Sequence, residues 1–213
     1  MHRFLRFDER QDAVFSLRFF RELLPKVRDN PQYWKWVMVA LHSALQGFMV
    51  LALQGSDKLP IISDYKKARH IWAQYFLWLL GLRVEEVNNL PAPHLKKFSE
   101  LYECIKCEKL MCLSASSRAF VPDGRHDESV KNLDEIRNQF IHFFPKFSSE
   151  DALEFITVAS GCLEVISFIA FKSSNIIWHP PDLESETREL IFQLEDELTT
   201  LAQTVEGFTK TDT

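Results

Sequence analysis

Residues 32–53 read QYWKWVMVALHSALQGFMVLAL, and their pattern decides the fold class. Trp34, Val37, Leu41, Leu45, Phe48 and Leu51 recur every three or four residues, the period of one helix face rather than the alternation of a strand. Pro31 precedes the stretch and Gly55 follows it, where a helix starts and stops. The stretch is apolar enough to raise the question of a membrane span. His42, Ser43 and Gln46 interrupt it, so the expectation is a buried core helix. Residues 152–171, which carry Glu154 and Glu164, are read the same way, and no membrane partner is expected.

Working outward, periodicity and breakers mark seven helical segments. One covers about residues 9–24 and stops at Pro25. Another covers about 64–80 and closes at Gly81, its Trp72, Tyr75, Phe76 and Trp78 reading as core or dimer surface. A third, about 94–113, follows Pro91 and Pro93, and residues 114–124 have the composition of a surface loop. The segment 127–144 must end before Pro145. Ser148 or Ser149 is expected to cap the helix that runs to about 171, and Asp182 the one that runs to about 205. The reading is all-α, a helical bundle in a single domain spanning 1–213, with the 9–24 helix accessory.

Composition agrees. The 213 residues are 46% hydrophobic, enough for a sizeable core and too apolar for a disordered chain. Six glycines and nine prolines supply little material for the turns of an all-β fold. Residues 1–6 lack the apolar run of a signal peptide, so a cytoplasmic location is expected. Cys104, Cys107, Cys112 and Cys162 are then expected to stay reduced. Cys104 and Cys107 form a C-x-x-C pair, but a structural zinc site needs a second pair at matching spacing, so buried helical cysteines are expected instead. No G-x-S-x-G elbow, phosphate loop or dinucleotide turn is present, and neither metal nor cofactor is expected.

The chemistry concentrates in Arg137-Asn138-Gln139-Phe140-Ile141-His142. Arginine brings a permanent charge and a forked donor suited to phosphate. Histidine changes charge near neutral pH and can move a proton during attack on that phosphate. Asparagine adds a neutral donor and acceptor. At about 100° per residue, Asp134, Asn138 and His142 line one helix face and Arg137 stands beside that row. Arg137 and His142 lie about 140° apart around the axis, so they converge within one helix only through the long arginine reach or a distorted helix end, and a second chain could complete the site.

In a helical chain, this arginine, asparagine and histidine spacing resembles the HEPN superfamily, whose motif is R-x(4-6)-H with a polar second residue. The resemblance covers roughly the central and C-terminal two-thirds. It implies a four-helix core with additional helices and a homodimer whose two motifs meet at a twofold axis to form one metal-independent endoribonuclease site. By that likeness Arg137 would hold the scissile phosphate, His142 would transfer the proton, Asn138 would orient a neighbour, and Asp134 would bias the histidine towards its charged form. The superfamily further implies toxin and phage-defence roles with an antitoxin or defence-operon partner. Its R-x4-H-x-Y subset, in which a partner modifies the tyrosine, departs from this chain, which carries Phe144 there.

Charge sets a limit on RNA binding. A net charge of −5 cannot give broad phosphate attraction, and Arg125, His126, Lys131, Arg137 and Lys146 on or near the motif helix read either as a modest positive patch or as an ordinary solvated mixture of signs. His42 reads as a satisfied core histidine that could lie near the motif. Two other readings stand beside the enzyme: a non-catalytic HEPN-like helical module that binds RNA, nucleotide or a protein partner, and a metal-bound helical regulator built on the cysteines.

Overall fold

A computed structural model of the chain describes residues 8–54, 61–63, 73, 77, 81, 94–112, 114–142 and 151–209. Seven α-helices are described, and no strand occurs among the described residues: α1 (Glu9–Leu23), α2 (Tyr33–Leu53), α3 (Phe98–Lys106), α4 (Glu108–Met111), α5 (Gly124–Ile141), α6 (Ala152–Phe171) and α7 (Asp182–Thr209). The chain is therefore an all-α helical bundle. Of the segment expected at 64–80 only Ala73 and Leu77, both helical, are described. Gly81, expected to close it, has φ of +68°, the left-handed conformation that glycine adopts without a steric penalty.

The apolar stripe of 32–53 becomes the hub. Thirteen of the twenty-one residues of α2 are buried, and α2 packs against α1, α3, α5 and α6. The second apolar helix, α6, packs against α2, α5 and α7. Both helices are long and apolar enough to cross a bilayer, yet 67% and 56% of their apolar windows are buried within the bundle. Leu17 and Phe20 of α1 are fully buried against this core, and Arg18 ties α1 to Glu186 of α7 through two guanidinium contacts.

Two glycines set how closely the helices approach. A Cβ on Gly47 would stand 2.8 Å from that of Ala13, so α1 and α2 touch nearly backbone to backbone. A Cβ on Gly161 of α6 would stand 2.8 Å from Ser129 Cβ, which seats α5 against α6. Val130, Leu133 and Ile136 of α5 are buried in the core as well.

Several boundaries differ from the sequence reading, each for a local reason. Pro25 does not end the first helical run abruptly: Leu24–Val27 continue as one 3₁₀ turn, which tolerates proline in its first positions. Residues 94–113 split into α3 and α4 because Cys107 adopts an extended backbone, φ −90° and ψ 112°. α5 begins three residues before the expected 127, because Asp123 caps it by accepting from the His126 amide at 3.0 Å. Asp151, not Ser148 or Ser149, caps α6, accepting from the Leu153 amide at 3.0 Å. Asp182 is the first residue of α7 rather than its cap.

Candidate functional site

The motif occupies the last turns of α5. Arg137 and Asn138 are half-buried, and His142 is the exposed C-terminal cap residue, its amide donating to the Asn138 carbonyl at 3.1 Å. This hydrogen bond fixes His142 one turn beyond Asn138 on the same face, as the fourfold spacing requires. Arg137 Nη1 donates to Asn138 Oδ1 at 2.8 Å, so the asparagine carbonyl orients the guanidinium. Among the described residues no carboxylate forms an ion pair with Arg137. Its remaining donors can meet an incoming anion.

The third member of the face, Asp134, meets a histidine from another helix. His42, only 4% exposed in α2, brings Nε2 to 3.1 Å from Asp134 Oδ1. Its ring stacks on Phe98 with 4.0 Å between centroids. Burial holds His42 below the usual histidine range, and the Arg137 cation adds to that; the hydrogen bond to Asp134 opposes both without reversing the shift. A carboxylate can only accept, so the neutral ring carries its proton on Nε2 and donates it to Asp134. The core helix thus clamps the motif helix one turn before Arg137.

The expected basic patch is largely spoken for. Arg125 Nη2 lies 2.6 Å from Glu164 Oε2, and His126 bridges that same oxygen at 2.9 Å and Asp123 Oδ1 at 2.7 Å. Lys131 is well exposed, 3.8 Å from Glu135 one turn along. Lys146 and Phe144 lie outside the described residues. The cysteines do not converge: Cys104 and Cys162 are buried, with burial raising both thiols above their ordinary range, while Cys107 is half-buried and Cys112 exposed. Among the described residues, no three His, Cys, Asp or Glu side chains group as a metal site would require.

Sequence reasoning brought Arg137, Asn138 and Asp134 together through helical spacing alone. It could not pair Asp134 with His42, since 92 residues separate them and only packing of α2 on α5 makes the contact. The usable signal was a polar ring in an otherwise apolar stripe, which needs a buried partner somewhere. No family model, no curated protein and no solved structure matches this chain.

Proposed function

We propose that this chain is a metal-independent endoribonuclease of HEPN type, acting as a homodimer in a toxin or phage-defence setting. One observation supports the reading above the others. Arg137 is oriented by Asn138 and carries no carboxylate counter-ion among the described residues, while His142 stands in solvent one turn further along the same helix.

The chemistry follows from those groups. Arg137 grips the scissile phosphate and stabilises the charge that builds on it. The ribose 2'-oxygen attacks phosphorus as its proton leaves to a base, and the phosphorus–5'-oxygen bond breaks as that oxygen gains a proton. His142 of one copy performs one of these transfers. The products are a 2',3'-cyclic phosphate and a free 5'-hydroxyl, with no water, oxidant or metal consumed. Exposure of Ile141 and His142 at the end of α5 leaves this end open to a second copy, which would overcome the angular separation of Arg137 and His142.

The test is the fate of the 2'-hydroxyl. A labelled single-stranded RNA should be cut to fragments ending in cyclic phosphate, and the same oligonucleotide with 2'-deoxyribose at the cleaved position should stay intact. Cutting of the deoxy substrate, or release of 3'-hydroxyl ends, would rule out this mechanism. A second reading, a non-catalytic helical module that binds RNA, nucleotide or protein, is favoured by a single fact: Arg137, Asn138 and Asp134 already have partners within the protein.

A further inference from the structure

A groove of about 950 Å³ runs beside the motif helix, bounded by the start of α2, the end of α5, the start of α6 and the end of α7. Its size falls within the range of about 300–1,000 Å³ usual for ligand sites. Its floor is aromatic. Phe155 stacks on Trp34 with centroids 5.3 Å apart and planes 14° apart, and on Phe140 at 6.3 Å and 16°. Trp36, 48% exposed, stands at the rim with the Lys35 ammonium 5.1 Å from its ring centroid. The charged residues among those lining the groove are Arg28 and Lys35, both cationic, although Arg28 also reaches Glu197 at 2.8 Å.

Phe140 links this groove to the site already described. It follows Arg137 by three residues, which puts the two side chains about 60° apart on neighbouring turns of α5. A ring in the groove and a phosphate on Arg137 can therefore belong to one ligand. Taking the ribonuclease reading as its premise, we infer that this groove binds an unpaired nucleobase of the single-stranded RNA substrate, stacked against Trp36 and Phe140, with the adjoining phosphate on Arg137. A flat aromatic ligand suits the ring floor, and Arg137 supplies the phosphate contact beside it. A base stacked inside a duplex cannot enter, so the site selects single strands.

The measurement is fluorescence anisotropy with a labelled 2'-O-methyl RNA hexamer, which cannot be cut because its attacking oxygen is blocked. Trp36→Ala and Phe140→Ala should each weaken binding roughly tenfold or more, the size expected for one lost base stack. Phe192→Ala, an exposed aromatic on α7 outside the groove, should not. Unlabelled duplex of the same sequence should compete poorly. Wild-type affinity in both groove variants, or equal competition by duplex, would overturn the inference, as would absence of binding to the unaltered protein. If Trp36→Ala instead splits a dimer in sedimentation without changing RNA affinity, the groove is an interface between copies and the inference fails. Cleavage that disappears in Arg137→Ala while groove variants bind normally would leave the ribonuclease reading standing without the groove. Groove-dependent binding with no RNA ever cut would do the reverse.

Discussion

Replacing Gly161 by alanine tests how the motif helix is seated. The added methyl would arrive 2.8 Å from Ser129 Cβ, whereas ordinary contacts begin at 3.4 Å, so α5 and α6 must part by at least the 0.6 Å difference. A gap of about that size forfeits a quarter to a half of the dispersion well for each facing atom pair. Val130, Leu133 and Ile136 of α5 are buried as well, and overpacking of this kind costs about 1–3 kcal/mol. Alanine returns up to about 1 kcal/mol through its better helix propensity. The expected net loss is up to about 2 kcal/mol, read from the shift in urea midpoint at constant slope. Adding Ser129→Gly removes Ser129 Cβ and the still closer Ser129 Oγ, and leaves only the Arg125 carbonyl, at 3.9 Å. The double variant should therefore be more stable than Gly161→Ala alone, despite the cost of a second helical glycine. If Gly161→Ala is more stable than the parent, or Ser129→Gly fails to relieve it, the close approach of α5 to α6 is wrong.

Three further outcomes are expected. His42 is held below its ordinary range while the unfolded chain titrates near 6.5, so the unfolded state binds the extra proton first and stability falls as pH drops through 6.5. Between pH 6.5 and 5.5 the parent should lose more stability than His42→Phe, and parallel urea curves for the two would contradict this. Phe20→Ala, which empties a fully buried site between α1 and the core, should cost about 3–5 kcal/mol in the same assay. Asp123→Ala removes the N-cap of α5 and should cost about 1 kcal/mol, with faster amide exchange confined to the first turn of that helix.

The helices were legible where periodicity is local. The stripe from Trp34 to Leu51 foretold the most buried helix, and the spacing of Asp134, Asn138 and His142 foretold a shared face. Boundaries were less legible because capping depends on which of several competent side chains meets the amides. Asp151 caps α6 where Ser148 or Ser149 was expected, and Cys107 gave no sign that it would break a helix in two. Long-range partners were the least legible: the sequence allowed His42 to lie near the motif but did not name its partner. The carboxamide of Asn175 donates to Ala52 and Met111 carbonyls, and His42 finds Asp134, only after the bundle has closed. The pairing of the basic residues was hidden for the same reason: Glu164, which contacts Arg125 and His126, comes from α6.

The decisive measurement is incubation of purified protein with total RNA and short labelled oligonucleotides in excess EDTA, beside Arg137→Ala and His142→Ala proteins shown to be folded. Cleavage by the parent and none by either variant is the result expected of a metal-independent site that uses both residues. Intact RNA with the parent, or equal cleavage by the variants, would contradict it and leave the bundle as a binding module.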